Sequence, residues 1–488
     1  MGQDEPVPGP LVSSTGHAGL RVEAPELRLL CDPWVSRGGA FLGSWFPFPD
    51  NGHLHAVPGF LEAEWIAVSS AHADHMDLAF LSGLDDGVQV VVPAYPSSVL
   101  RDRLTAAGVK NVVEVEGWQH LPLNSRGDWL TAIPEQSPMS HRAAFLVVAD
   151  GISVLHCNDA QLSLAQTRRA MIEVGGPLDL LALDASGPRF RAVKRLVRTV
   201  KPRLAMPYGG PACVLDPALA HDNAQIAEPD ELPAETLRLF PGDSVRITPT
   251  SHDVTRDPRW GDFSYSDSVA VANHLEAYAA SRAEEIAEVW TAHPDPVAGS
   301  GLGERFVEHF VRLGRMSPYF LERIAMTVRF EVAGADGGIW DVHLGTSDET
   351  PQYTFGVEAR WLEAVLSGEI LWEDLLLSRR LSVKSSPDVD NSYLFALLRH
   401  ADVDALQAIE DHDKRDPDAT VMVNSGERTF EVTRYCPHSG EDLAEGAIVE
   451  EAPEGLVLRC LAHNFDFSLT TGLCLNARCE PIMVAAPA

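Results

Sequence analysis

The apolar residues of this chain change period three times along its length. The runs Trp65–Val68, Leu130–Ile133, Ala144–Ala149, Ile152–Cys157 and Pro202–Met206 are short and almost wholly apolar, which predicts buried strands. A helix-like pattern follows the first of them. From Val269 the period becomes helical: Val271, Leu275, Tyr278, Ala279, Ile286 and Trp290 fall mostly on one face, predicting a helix over Val269–His293. Shorter helices are expected at Gly303–Leu313 and Pro318–Met326. Val328–Val332, Trp340–Leu344 and Tyr353–Val357 then read as strands between polar or Gly-rich turns, and helices resume near Ala359 and Ser392. The acidic stretch Asp402–Asp418 reads as a connection, and Gly455–Leu458 is strand-like again. These shifts divide the chain into expected units at 1–262, 263–402 and 403–488.

A length of 488 residues exceeds one ordinary core, and 45% hydrophobic with 22% charged residues is the balance of a globular protein. No run of eighteen apolar residues is present, so no membrane span is expected. The first ten residues, MGQDEPVPGP, have neither the basic nor the apolar region of a secretory signal. A net charge of −32 argues against nucleic acid and anionic lipid as partners. Seven cysteines, an odd number, suit a reducing and therefore cytoplasmic setting.

The chemistry concentrates in two places. Near the C-terminus, Cys436-Pro437-His438 is followed by Cys460-Leu461-Ala462-His463. Two Cys-His pairs can hold one iron by two thiolates and a second by two imidazoles, the ligand set of a Rieske [2Fe–2S] centre. A structural zinc ribbon is the alternative for such donors. The flanking Gly440, Phe465, Phe467 and Thr471-Gly472 resemble the Rieske ferredoxin-type domain. Glu441 and Ala462 stand where high-potential Rieske proteins carry a pair of disulfide-forming cysteines, so the resemblance is to the oxygenase and ferredoxin kind.

The second place is the end of the strand Trp65–Val68, which runs into Ser69-Ser70-Ala71-His72-Ala73-Asp74-His75. Ligands bunched at a strand end before a helix are placed to converge on one ion. The segment resembles the HxHxDH motif of the metallo-β-lactamase fold, with Ser70 in place of the first histidine. His141 and Asp159 follow in the order that this fold implies. The last histidine of the pattern is replaced by the Tyr208-Gly209-Gly210-Pro211 loop. The remaining set, His72, Asp74, His75, His141 and Asp159, suffices for one ion with open positions. Such imidazole and carboxylate ligands suit non-heme Fe(II), or zinc in a hydrolase; a surface His-Asp cluster that binds nothing is the bland alternative. His156 is read as a packing residue.

Together with Asp32-Pro33-Trp34 and Ala40–Trp45, these segments resemble CMP-N-acetylneuraminate hydroxylase and its bacterial relatives, although there the Rieske part is N-terminal. The implied fold is multidomain α/β + β: an αββα metallo-β-lactamase-like sandwich, an α+β middle unit that resembles a sterol-carrier module, and an all-β Rieske domain. The middle unit could equally be a spacer or an oligomerisation surface. The implied activity is that of an O2-dependent monooxygenase, with Asp74 and Asp159 as catalytic carboxylates and a polar small molecule, such as an amino sugar nucleotide or amine, as substrate. A ferredoxin or reductase would supply electrons through the cluster held by Cys436, His438, Cys460 and His463, and a homo-oligomer is plausible. The competing expectations are a zinc-dependent hydrolase with an appended redox domain, and an electron-transfer protein with a docking domain. The basic residues Arg168-Arg169 and Arg191, Lys194, Arg195, Arg198 and Lys201 read as solvated helix faces or phosphate contacts.

Overall fold

The computed structural model describes residues 9–485 apart from 186–189, 209–211, 220–222, 224–225, 227–231, 262, 387–388, 427 and 439. The apolar runs become strands of two facing sheets. The first orders, in space, His252–Thr255, Ser244–Ile247, Leu11–Gly16, Gly19–Ala24, Leu27–Cys31, Trp65–Ala67, Gln89–Pro93 and Val112–Val115. The second orders Glu235–Thr236, Leu204–Tyr208, Leu180–Asp184, Ile152–His156, Ala143–Ala149, Trp129–Pro134 and Leu121–Pro122.

Side chains alternate across these strands, and both faces are buried. Phe145 and Val147 point into the core between the sheets, where they meet Leu20, Leu29, Val91, Leu180 and Leu204. Their neighbours Ala144 and Leu146 point outward, under helices Leu164–Glu173 and Phe190–Val200. On the other sheet Val91 faces in, while Val90 and Val92 pack outward near helix Val99–Ala106. Burial on both faces is why the runs carry no polar alternation. Each fully buried Leu, Val or Phe contributes about 1.5–3 kcal/mol relative to exposure. The layers are helix, sheet, sheet, helix, as expected for residues 11–255.

The middle of the chain packs helices on one face of a four-stranded sheet ordered Gly338–Leu344, Met326–Ala333, Pro351–Glu358 and Leu381–Ser385. Phe306, Phe310, Phe330, Phe355, Trp361 and Trp372 fill its core. Two expectations are corrected here. The helix expected over Val269–His293 is two, Ser268–Ser281 and Ala283–Ala292, broken at Arg282. At the break the buried Arg282 guanidinium reaches Asp50 Oδ1 at 3.0 Å and lies over the Tyr278 ring, 5.0 Å from its centroid. The supposed connection Asp402–Asp418 contains helix Val403–Asp413, started by Asp402, whose side chain accepts from the Ala405 N–H.

The C-terminal region is built of two three-stranded sheets, Thr420–Ser425, Arg428–Thr433 and Val484–Ala485 in one, Ala447–Ala452, Gly455–Cys460 and Phe465–Ser468 in the other. Cys436, Cys460, Leu458 and Phe467 are buried between them. Among the described residues no helix is long and apolar enough to cross a membrane.

Candidate metal and iron–sulfur sites

One end of the two-sheet sandwich gathers the loops that leave strands Leu11–Gly16, Leu27–Cys31, Trp65–Ala67 and Ile152–His156. These loops carry His17, Asp32, His72 to His75 and Asp159. His17, Asp32 and Asn158 all sit in left-handed backbone, with φ of 51°, 43° and 51°. Non-glycine residues held this way cluster at sites where the surroundings dictate geometry.

His75 is fully buried and gives its Nδ1–H to Asp32 Oδ2 at 2.7 Å. Asp32 is itself fixed by Ser69, whose N–H donates to Oδ1 at 2.8 Å and whose hydroxyl donates to Oδ2. The other ring nitrogen of His75, Nε2, lies 3.6 Å from Asp159 Oδ2 and 4.0 Å from Asp74 Oδ2 and has no hydrogen-bond partner among the described residues. Asp74 Oδ1 and His17 Nδ1 are likewise buried and unpartnered. His17 Nε2 lies 3.2 Å from Asp74 Oδ2, and His17, Asp74 and His75 offer ligand atoms all within 4.8 Å of one another. His72 turns Nδ1 toward Asp159 Oδ2 at 4.0 Å.

The charges respond as a cation-seeking group would. Burial alone would lower the His75 pKa, but Asp74, Asp32 and Asp159 together raise it well above the ordinary histidine value. Burial would raise Asp159, yet His75 and Arg142 hold it well below the carboxylate range. Asp74 is likewise lowered against its burial, by His75 and then His17. Orphaned buried donors and acceptors aimed at one point fit a bound divalent ion with imidazole and carboxylate ligands.

Of the residues expected here, His72, Asp74, His75 and Asp159 are brought together. His141 is not. Its ring stacks on Tyr95 at 5.1 Å and lies 4.4 Å from that of His400. Arg142 Nε, at 3.9 Å, takes the place beside Asp159. Burial and then His400 push the His141 pKa down to about 3. Ser70 is buried where the first histidine of the motif would stand. Tyr208, at the position of the last, donates its hydroxyl to the Asn158 carbonyl at 2.9 Å, while residues 209–211 lie outside the described ones. His156 packs, as expected, with Nε2 donating to the Ala18 carbonyl at 2.6 Å.

Three participants escaped the sequence reading. His17 stands alone in a hairpin turn, with Gly16 and Gly19 around it as its sole local signal. Asp32 was noted for its neighbours rather than as a partner of His75. Glu373 comes from the middle of the chain: it is 6% exposed, its Oε1 accepts from His72 Nε2 at 3.1 Å and its Oε2 from Arg399 Nε at 2.6 Å. Burial would raise its pKa, but His72 and Arg399 hold it at about 2. Beside it opens a cavity of about 380 Å³, walled by His72, His141, Arg142, Glu373, Arg399 and His400 among others.

In the C-terminal region the donor atoms of Cys436, Cys460 and His463 lie within 4.8 Å of one another, with Cys460 Sγ 3.9 Å from His463 Nδ1. His438 stands against His463, ring centroids 4.4 Å apart. The thiols are buried and both imidazoles exposed. A hydrogen bond with Cys436 and then burial push the Cys460 thiol well up. Two adjacent buried thiols with two imidazoles at the rim fit the donor set of a mixed-ligand [2Fe–2S] cluster.

This region is docked on the sandwich. Arg168, on helix Leu164–Glu173, donates to the Leu461 carbonyl and to Asn464 Oδ1, the latter at 2.9 Å. Arg169 donates to the Glu445 carbonyl at 3.3 Å, and Gln136 Nε2 to Glu441 Oε1 at 3.1 Å. The arginine pair read as a solvated face or phosphate contact is thus an interface between two parts of the chain.

Residues 11–208 match the β-lactamase superfamily domain, and residues 397–485 the Rieske [2Fe–2S] domain. A Rieske 2Fe-2S iron-sulfur protein of Mycobacterium tuberculosis is 26% identical over 98% of this chain and 100% of its own. A UPF0173 metal-dependent hydrolase of Thermococcus onnurineus is 22% identical over 48% of this chain and 97% of its own. Among solved structures, CmlA, a diiron β-hydroxylase from Streptomyces venezuelae, aligns at 16% identity and a TM-score of 0.33, over 50% of this chain and 55% of its own. The chain therefore joins a metallo-β-lactamase-like N-terminal domain to a C-terminal Rieske [2Fe–2S] domain and is similar along its length to a mycobacterial Rieske iron–sulfur protein.

Proposed function

We propose that the protein is a Rieske-type non-heme iron oxygenase that C- or N-hydroxylates a polar small molecule, such as an amino sugar nucleotide or another amine. It would draw electrons from a ferredoxin or reductase and work as three units, residues 1–262, 263–402 and 403–488. The observation that carries this reading is the presence, in one chain, of a Rieske domain and a buried His-carboxylate cluster whose Asp74 Oδ1 and His75 Nε2 have no hydrogen-bond partner among the described residues. When bound, the [2Fe–2S] cluster supplies single electrons and the iron supplies O2 activation.

In this reading Cys436, His438, Cys460 and His463 hold the cluster. His72, Asp74, His75 and Asp159 hold the iron, with His17 as the added ligand that stands in for the missing histidines. Asp32 accepts the Nδ1–H of His75 and so keeps the Nε2 lone pair turned to the metal. The cavity beside His72 takes the substrate. Its polar walls orient hydrogen-bonding groups, and Arg142 and Arg399 present positive charge to any anionic part. Gln136, on the same wall, bonds to Glu441, whose carbonyl in turn accepts from the Cys436 N–H at 2.8 Å. A short hydrogen-bonded link of this kind supports electron delivery within the chain.

Iron analysis and electron paramagnetic resonance on the full-length protein test the proposal. The expected result is one iron beyond the two of the cluster, with a mixed-ligand cluster signal after dithionite reduction. His72→Ala and His75→Ala should keep that signal and lose the extra iron, together with O2 uptake stimulated by probes such as CMP-N-acetylneuraminate or simple amines. Zinc in place of the extra iron would overturn the oxygenase reading in favour of a hydrolase with an appended redox domain.

A further inference from the structure

A histidine that ligates a metal through one nitrogen must place the proton of its other nitrogen somewhere, and the acceptor fixes both tautomer and ring orientation. His75 has such an acceptor inside its own domain, Asp32. Among the described residues of that domain, none accepts from His72 Nε2. The atom within reach of its Nε2 is Glu373 Oε1, 301 residues further along the chain.

We infer that Glu373, supplied from the middle of the chain, is the positioning carboxylate of the metal ligand His72, so that the metal centre is completed by two units of the fold. The inference rests on the metal-binding reading of the cluster. Its warrant is the matched chemistry at the two histidines. An ionised carboxylate only accepts hydrogen bonds, so His72 carries a proton on Nε2, and when it binds a metal its Nδ1 lone pair would face the side of Asp159. For His75 the arrangement is mirrored: Asp32 takes Nδ1–H and Nε2 faces the same cluster. With a metal bound, both imidazoles would turn a lone pair toward the side of Asp159 Oδ2, from opposite ring nitrogens.

Glu373 is held as a positioning group needs to be. Its helix, Trp372–Leu377, is anchored by buried Leu375 and by buried Trp372, whose indole N–H donates to His309 Nε2 at 2.8 Å. Arg399, near the end of helix Ser392–His400, grips the second carboxylate oxygen. A carboxylate so buried is stable as an anion only because both oxygens are paired. The middle of the chain is then more than a spacer, because moving it withdraws Glu373 from the metal.

The test uses full-length protein with its cluster intact. Apparent affinity for Fe(II) is read by chelator competition. The geometry at His72 is read from the high-spin Co(II) resonance of protein loaded with Co(II), with the [2Fe–2S] cluster oxidised and silent. Glu373→Ala and the isosteric Glu373→Gln should weaken metal binding by about 10–100-fold and alter the Co(II) spectrum, leaving the reduced-cluster signal unchanged. Glu373→Asp should recover part of the affinity. Wild-type affinity and spectrum in Glu373→Gln overturn this inference alone. Failure of the wild type to bind metal at all, with His72→Ala indistinguishable from it, overturns the metal reading itself and this inference with it.

Discussion

A histidine buried against an aromatic core is stable there only while it stays neutral. His309 is such a residue: Trp372 Nε1 donates to its Nε2, and Arg312 Nη2 lies 2.9 Å from its Nδ1. A neutral imidazole accepts through one nitrogen and a protonated one through neither, so acid must break this arrangement. Burial and then Arg312 push the His309 pKa down from 6.5 to about 4. Because the folded value lies below the unfolded one, the unfolded chain binds the extra proton between these pH values. The stabilisation is therefore complete above pH 6.5 and is lost as pH falls toward 4, by roughly 2–3 kcal/mol. Urea unfolding of the wild type at pH 7 and pH 5 should show this loss, and His309→Gln should flatten it. An equal pH slope in the two proteins would assign the acid sensitivity elsewhere.

Between elements, the middle of the chain is fastened to the sandwich by a buried ion pair. Arg380 Nη2 lies 2.8 Å from Asp216 Oδ2, both side chains are 3% exposed, and the guanidinium lies over the Trp361 ring, 4.5 Å from its centroid. Trp290 Nε1 donates to the same Asp216 oxygen at 2.9 Å. Removing one partner of such a pair strands a charge in low dielectric. Arg380→Ala should cost about 3–5 kcal/mol in chemical denaturation, while Asp216→Asn, which keeps an acceptor for Trp290, should cost less. The reverse ranking would mean that the stranded Arg380 charge, rather than lost packing and hydrogen bonds, dominates at this junction. Arg282, where one helix ends and the next starts, pairs with Asp50, a partner 232 residues away that no local periodicity announces.

Over the whole molecule, the Rieske domain is seated on the sandwich by Arg168, Arg169 and Gln136. Arg168 binds the loop that also carries His463, so the docking controls how the cluster's rim faces the rest of the chain. Arg168→Ala should leave the cluster signal and the metal content intact and slow reoxidation of the reduced cluster by O2 several-fold in stopped-flow absorbance. Unchanged kinetics would mean that electrons pass by another route, such as between chains.

Much was legible from the residues alone because it is carried by local pattern. Wholly apolar runs specify strands buried on both faces, and Cys436-Pro437-His438 with Cys460–His463 names its own chemistry, since few donor sets place two thiols and two imidazoles so close in sequence. The motif around His72, Asp74 and His75 is local for the same reason: one strand end delivers all three. What tertiary structure alone decided is which distant groups meet them. His17, Asp32 and Glu373 arrive from a hairpin turn, another strand end and a helix in the middle of the chain, and the ring of His141 stacks on Tyr95 and lies against that of His400. Periodicity reports which face of an element is buried. It carries no information about which side chain stands across the gap, because that depends on how whole layers are packed.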